Sequence, residues 1–124
     1  MQVGQFAEVS RRYGAEELRR LAGLGAAADG AVVPEPLIGA LFSYLLGVKL
    51  PGPGTNYLKQ EMRFLTPAPA DQALTARVEI TRLRPDKHLV DLWSTCRTED
   101  GTLICEGRSL VLIKADRMWS TKLA

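Results

Sequence analysis

The sequence has few of the residues that build disulfide frameworks and metal sites. Its 124 residues include two cysteines, Cys96 and Cys105, and one histidine, His88. Both cysteines lie in apolar, strand-like segments, which indicates buried thiols rather than a disulfide-stabilised secreted domain. One histidine and two such cysteines cannot supply the ligand set of a zinc site. We therefore expect no bound metal.

The chain also lacks a strong excess of either charge and a long hydrophobic run. Sixteen Lys and Arg residues against fourteen Asp and Glu residues give a net charge of +2, too weak for a nucleic-acid-binding surface. The longest apolar stretch, residues 34–50, contains Glu35 and Lys49 and is too short to span a bilayer. No signal peptide is visible after Met1. We expect a cytoplasmic protein without nucleic-acid or membrane partners.

The chain does have enough apolar sequence for one core. Hydrophobic residues make up 46% and charged residues 24%, which predicts a single domain over residues 1–124. Residues 5–13 are predicted as a strand, 15–22 as a short helix and 24–36 as a loop. Residues 36–48, PLIGALFSYLLGV, are predicted as a helix that is apolar on most sides and must therefore be covered.

Four strand-like runs follow this helix, after a break at the sequence PGPG of residues 51–54. They span residues 56–65, 73–83, 88–98 and 102–114, with hairpin turns at 85–87 and 99–101. This order predicts an α+β fold, in which a curved five-stranded antiparallel sheet wraps one apolar helix, the hot-dog architecture. Such a unit leaves a sheet edge open, so we expect a homodimer or a higher homo-oligomer. Residues 115–124 are weakly patterned and stay unassigned.

Residues 41–67, LFSYLLGVKLPGPGTNYLKQEMRFLTP, resemble the MaoC-like, (R)-specific enoyl-CoA hydratase family. That family has a similar helix, then LPGxG, an aromatic-Leu pair, a Gln and a strand that ends in F-x-x-P. Residues 73–113 resemble its remaining strands. The resemblance implies the hot-dog fold and syn hydration of a trans-2-enoyl thioester. It also implies that an acyl-CoA or acyl-carrier thioester is the substrate, with no resident cofactor.

The sequence departs from the family at the residues that carry the chemistry. The family holds and activates water with an Asp and a His set as D-x-N-P-x-H, and no D-x-x-x-x-H occurs here. The segment before the helix has one acidic residue, Asp29, and no histidine, while Pro34 and Glu35 stand where the family has His-Gly. His88 follows a predicted turn, where a histidine is structural or solvated.

A related dehydratase family, acting on acyl-carrier substrates, opens its helix with M-P-G-V-L. Residues 33–37, VPEPL, resemble that opening. The Glu that this family places on the helix corresponds to Ala40 here, and its partner histidine is missing too. Neither hydratase motif is therefore complete.

Two residues are candidates for catalysis. Glu35 stands at the helix start, where it is either a helix-end charge or the acidic residue that some hot-dog thioesterases use as base or nucleophile. Ser43 either bonds back to a helix carbonyl or corresponds to the Ser that supports the family's catalytic Asp. We expect Asp91 to be solvated and both thiols inert, since nothing in the sequence near them lowers a thiol pKa. The candidate substrate-binding residues are Pro36, Leu37, Ile38, Asn56, Tyr57 and Gln60.

Three functions stay open at this point. The first is an enoyl-thioester hydratase or dehydratase with a weakened site, or one whose missing groups come from a motif-bearing partner subunit in a hetero-oligomer. The second is an acyl-CoA thioesterase that uses Glu35. The third is a non-catalytic subunit that binds acyl thioesters. In each, the free amides at the helix start are expected to bind the thioester carbonyl.

Overall fold

The computed structural model describes residues 1–23, 30–114 and 118–119, with only the backbone described at 22 and 23. Its elements follow the predicted order, and each strand pairs antiparallel with its neighbours. The strand order in the sheet is β1-β3-β4-β5-β2, so β1 and β2 form the two edges. The elements are β1 (Phe6–Arg12), α1 (Ala15–Gly23), α2 (Glu35–Tyr44), a π-helical turn (Leu45–Lys49), β2 (Thr55–Phe64), β3 (Ala73–Arg84), a 3-10 turn (Pro85–Lys87), β4 (Leu89–Thr98) and β5 (Leu103–Ile113).

The core lies between α2 and the concave face of the sheet. Strand β3 shows why: its apolar residues alternate with polar ones, and the apolar set faces inward with no exposed surface. The helix supplies the opposing side chains with its buried stripe. The predicted hot-dog architecture is therefore confirmed. The buried residues of β3 are Leu74, Ala76, Val78 and Ile80, and those of the helical segment are Ile38, Leu41, Phe42, Leu45 and Leu46.

The central helix differs from its prediction at both ends. It begins at Glu35, one residue before the predicted start, and its last turn, Leu45–Lys49, has π-helical spacing. The Leu50 N–H donates to the Leu45 carbonyl at 2.7 Å, five residues back. The Gly52 N–H donates to the Leu46 carbonyl at 3.0 Å. The wider turn thus satisfies carbonyls at the helix end while the chain turns towards β2.

Strand β2 crosses β5 closely at Gly107. A Cβ built on Gly107 would lie 1.8 Å from the Glu61 carbonyl oxygen. No side chain fits there, so glycine at 107 lets the edge strand β2 pack against β5. This close approach occurs where Met62 pairs with Gly107, two residues before Phe64.

Part of the C-terminal segment that the sequence left unassigned packs against the core. The Trp119 indole N–H donates to the Ile113 carbonyl at 2.8 Å, and Met118 packs beside it against the core. The rest of the unassigned segment, Asp29 and residues 24–28 of the predicted loop lie outside the described residues. Within the described ranges, no helix is long and apolar enough to cross a membrane.

Candidate functional site

The start of α2 presents one backbone donor. Pro34 precedes the helix in an extended conformation and Pro36 has no N–H. The Leu37 N–H donates to the Pro34 carbonyl at 3.0 Å. Among the first three helical residues, Glu35 alone keeps an N–H without a carbonyl partner in the described part of the chain. The free amides expected at the helix start are therefore represented, in the first turn, by the Glu35 N–H.

A cavity of about 320 Å³ opens beside this amide. The first turn of α2 and the last residue of β2 form two of its sides. Two adjacent segments complete it, and they are held together because the Val33 N–H donates to the Ala68 carbonyl at 2.8 Å. Of its nine lining residues, seven are apolar, including Ile38 and Phe64, and the two polar ones are Glu35 and Thr66.

Glu35 brings the one ionic group to this cavity. Its side chain is exposed and forms no ion pair within the described residues. Its charge also acts on Cys105, which lies directly opposite Phe64 of the cavity wall in the β2–β5 register. A carboxylate next to a free helix N-terminal amide is an arrangement that can activate water while the amide polarises a carbonyl oxygen.

The two cysteines form a buried pair behind this wall. Cys96 on β4 lies directly opposite Cys105 on β5, and neither has exposed surface. The hydrogen bond between the thiols, together with burial, raises the pKa of Cys105. The same hydrogen bond lowers the pKa of Cys96, against the expectation that nothing nearby would do so. Both thiols are confirmed as core residues, closed off from solvent.

The other predicted site residues lie elsewhere. Ser43 is on the exposed face of α2, eight residues from Glu35 and therefore roughly 12 Å along the helix axis. Gln60 precedes Phe64 by four residues on β2, roughly 13 Å along the strand. Asn56 and Tyr57 are farther still. Of the predicted binding residues, the structure places Ile38 in the cavity with Glu35, while Pro36 and Leu37 lie in the same helical turn without lining it.

The Tyr57 hydroxyl lies next to two serines of the sheet, away from the cavity. Its hydroxyl lies 3.4 Å from the Ser109 hydroxyl, which lies 3.4 Å from that of Ser94. Burial raises the pKa of Tyr57, and the hydrogen bond with Ser109 partly opposes this. The three side chains form a short polar line through the inner face of the sheet. Sequence analysis missed both serines, although a Ser at an inward-facing strand position is itself a signal.

The chain is similar in sequence to (R)-specific enoyl-CoA hydratases. It is 35% identical to an (R)-specific enoyl-CoA hydratase from Aeromonas caviae over 126 residues, covering 90% of this chain and 94% of that protein. The chain belongs to the (R)-specific enoyl-CoA hydratase family. The solved structure of an (R)-hydratase from A. caviae has a TM-score of 0.80 at 34% identity, covering 91% of this chain and 97% of that one.

The structure of a second hydratase is also similar to that of this chain. An R-hydratase from Pseudomonas aeruginosa has a TM-score of 0.79 at 25% identity, covering 91% of this chain and 82% of that one. None of the known family models matches the chain. The family membership therefore rests on these individual relatives, and they agree with the fold.

The chain's one histidine does not line the cavity. His88, the one histidine of the chain, lies in the turn between β3 and β4. Its carbonyl accepts the Ile113 N–H at 2.9 Å, and its ring meets the edge of Trp119 at 6.2 Å between centroids. The next residue, Leu89, pairs with Leu112, at the opposite end of β5 from the cavity wall. His88 is therefore not a member of this site.

Asp91 is not solvated, contrary to the sequence-based expectation. It is 4% exposed and accepts hydrogen bonds from two arginines. Arg84 donates to its Oδ2 at 2.6 Å, and Nε of Arg108 donates to its Oδ1 at 3.0 Å. Burial raises the pKa of Asp91, but the hydrogen bonds and charges of Arg108 and Arg84 outweigh it and lower the pKa overall. Both carboxylate oxygens of Asp91 accept hydrogen bonds, and the residue does not line the cavity.

Proposed function

We propose that the chain binds acyl-CoA thioesters in the cavity at the start of α2. The acyl chain would lie against the apolar walls, and the thioester carbonyl would accept the Glu35 N–H. The observation that carries the proposal is the combination of an apolar cavity, one free helix N-terminal amide and one carboxylate in a member of this family. Coenzyme A is then part of the substrate, not a resident cofactor.

We further propose that its intrinsic hydratase activity is weak. Hydration of an enoyl thioester requires groups that hold and deprotonate one water within hydrogen-bond reach. The Asp–His motif of the family is missing, and the chain's one histidine, His88, lies in the β3–β4 turn. Glu35 alone would have to act on the water, and nothing described beside it serves as the second acid–base group.

Thioester hydrolysis is the second candidate, because Glu35 lines the cavity with Thr66. Glu35 would take a proton from water, whose oxygen adds to the thioester carbonyl carbon. The negative charge that develops on the carbonyl oxygen would be stabilised by the Glu35 N–H and the helix dipole. The C–S bond then breaks, and the departing thiolate takes the proton.

The third candidate function is that of a non-catalytic subunit, which binds acyl thioesters within an assembly of two or more chains. Four exposed apolar side chains, Tyr44, Val48, Tyr57 and Leu58, lie on the helical segment and on the edge strand β2; we call them the edge patch. Strand β2 pairs with β5 on one side and is the edge strand of the described sheet on the other. We propose that a second copy of the chain covers the edge patch, or that a subunit with the Asp–His motif does so in a hetero-oligomer.

Light scattering at micromolar concentration tests the homo-oligomer. We expect at least a dimer, and we expect Leu58→Asp to shift it towards monomer because a charge would be buried in the contact. Val3→Asp is the matched control, since Val3 is even more exposed and lies at the other edge of the molecule. A monomeric wild-type chain contradicts this part of the proposal.

Function is tested by three parallel measurements on the full chain. Calorimetric titration with butyryl-CoA measures binding, loss of enoyl absorbance with crotonyl-CoA measures hydration, and a free-thiol reagent with acyl-CoA measures hydrolysis. We expect binding with little hydration. Rapid hydration contradicts the weak-hydratase proposal. Absence of binding contradicts the proposed site, and thiol release that Glu35→Gln abolishes favours the thioesterase.

A further inference from the structure

The two cysteines face each other across neighbouring strands. Cys96 on β4 is the register partner of Cys105 on β5, and a hydrogen bond joins the two thiols. Residues directly opposite on antiparallel strands have Cα atoms roughly 4.5–5.5 Å apart. This separation lies within the range of about 4.4–6.8 Å that disulfides occupy. The pairing of β4 with β5 therefore places the cysteines at the backbone separation of a cross-strand disulfide.

The pairing between β4 and β5 is irregular beside this pair. The register shifts between Cys96 and Arg97, directly before the turn that connects the two strands. Such an irregularity disrupts the ladder locally and lets the strand bend. Closing a disulfide brings the Cβ atoms from roughly 4.5–5.5 Å to about 3.8 Å apart. The shift beside Cys96 lets the strand make this movement while the regular pairing elsewhere in the sheet is kept.

Burial separates the thiols from solvent but not from each other. Neither has exposed surface, so a small oxidant reaches them during local opening of the sheet. The hydrogen bond between the thiols lowers the pKa of Cys96 and raises that of Cys105. Cys96 is therefore the thiol that more readily becomes the thiolate nucleophile, and Cys105 lies in contact with it as the second thiol.

We propose that Cys96 and Cys105 form a reversible cross-strand disulfide when hydrogen peroxide oxidises them. The Cys96 sulfur attacks a peroxide oxygen, the O–O bond breaks, and the products are a sulfenic acid and water, which takes the thiol proton. The Cys105 sulfur then attacks the Cys96 sulfur, the S–O bond breaks, and a second water leaves with the Cys105 proton. Two thiols and one peroxide thus give one disulfide and two waters, with the sulfurs oxidised by two electrons and the peroxide reduced.

The disulfide acts on the wall of the cavity at the start of α2. Cys105 pairs with Phe64, and the carbonyl of the adjacent Ile104 accepts the N–H groups of Leu65 and Thr66 at 2.8 and 3.3 Å. These three partners line the cavity. Movement of Cys105 towards β4 displaces the carbonyl that holds this wall, so acyl-CoA should bind more weakly. The disulfide forms independently of the proposed function, and only the change in binding rests on it.

Peptide mapping after exposure to hydrogen peroxide tests the disulfide. Trypsin cleaves after Arg97, between the two cysteines, so oxidised protein should yield residues 88–97 and 98–108 as one joined peptide. A small dithiol reductant should separate the two. The intact protein should be lighter by two hydrogen atoms and should run as a single chain in a denaturing gel without reductant. Thiols that stay reduced, sulfinic acids at either position, or a bond between two chains would overturn the proposal.

Amide NMR shifts of Leu65 and Thr66 test the effect on the cavity wall. Both should change on oxidation and return on reduction, whereas the amide of Ala7, on β1 at the opposite edge of the sheet, should not. Calorimetry with butyryl-CoA measures the consequence. We expect the oxidised protein to bind at least about fivefold more weakly than the reduced protein.

Cys96→Ala and Cys105→Ala are the matched controls, because each removes one thiol and should abolish the joined peptide and the peroxide-dependent amide shifts. Thermal unfolding checks that they are folded; if neither folds, oxidised and re-reduced wild type supply the comparison. A joined peptide with unchanged amide shifts and unchanged binding overturns the effect on the cavity and supports the disulfide alone. Changed amide shifts in a protein that binds butyryl-CoA in neither state support the disulfide and overturn the proposed binding site.

Discussion

Two carboxylates of this chain have opposite environments. Glu35 is exposed at the mouth of an apolar cavity and forms no ion pair within the described residues. Asp91 is 4% exposed and accepts hydrogen bonds from Arg84 and Arg108. The sequence predicted a solvated Asp91 and left open whether Glu35 was a helix-end charge. In the structure, the two carboxylates are distinguished by their hydrogen-bond and ion-pair partners.

The difference shows what each carboxylate can do. Asp91 is held by two cations, so protonating it or removing it leaves arginines without their partner, and it contributes to stability. Glu35 has no such partner among the described residues and costs little to change, and its oxygens are free to accept a proton from water. We therefore expect substitutions of the two residues to have separable effects, one on turnover and one on folding.

The largest effect is expected from Glu35→Gln. This change keeps the size and removes the charge, so any thioester turnover by the chain should fall by about 10²–10⁴-fold. The free energy of unfolding should change by no more than about 0.5 kcal/mol, because Glu35 forms no ion pair within the described ranges. Steady-state rates and urea unfolding of the same samples measure both. Full turnover in the variant would identify Glu35 as a helix-end charge only.

Asp91→Ala should have the converse effect. We expect the free energy of unfolding to fall by about 2–4 kcal/mol, since Arg84 and Arg108 lose their shared partner. Binding of acyl-CoA by the folded fraction should be unchanged. Glu106→Ala is the matched control on the same strand as Arg108: its ion pair with the exposed Arg63 is worth at most about 1 kcal/mol. Equal losses in the two variants would contradict the distinction.

A smaller effect is expected from pH. The folded pKa of Asp91 lies below its unfolded value, so its contribution is fully present above about pH 4 and is lost as the pH falls through the folded pKa. The stability difference between wild type and Asp91→Asn should therefore shrink below about pH 4. Urea midpoints from pH 6 to 2.5 measure it. A difference that stays constant over this range would show that Asp91 does not titrate as proposed.

The parts of the fold that depend on local pattern were predictable. Alternation in β3 and the nearly unbroken apolar stripe of α2 place the core without reference to distant residues. Glu35 was predicted at the helix start and the structure places it there, beside the cavity, while its catalytic role stays a prediction. The thioester chemistry and the partner class came from a resemblance rather than from pattern.

The parts that depend on distant pairing were not predictable. The cavity wall at Ala68 exists because that segment pairs with Val33, and no local pattern records this. Asp91 alternates like a solvent-facing residue, yet Arg84 on β3 and Arg108 on β5 enclose it. A register shift between Ile80 and Arg82 lies beside this cluster and also has no local signal.

Weak hydration despite retained binding is the central claim, and the crotonyl-CoA assay tests it most directly. The purified chain and the A. caviae hydratase would be assayed side by side at equal concentration, with loss of enoyl absorbance as the readout. We expect this chain to be slower by about 10²-fold or more, because its sequence contains no D-x-x-x-x-H. A rate comparable with that of the A. caviae protein would contradict the claim and would show that residues such as Ser43 or Asp29 supply the missing acid–base chemistry.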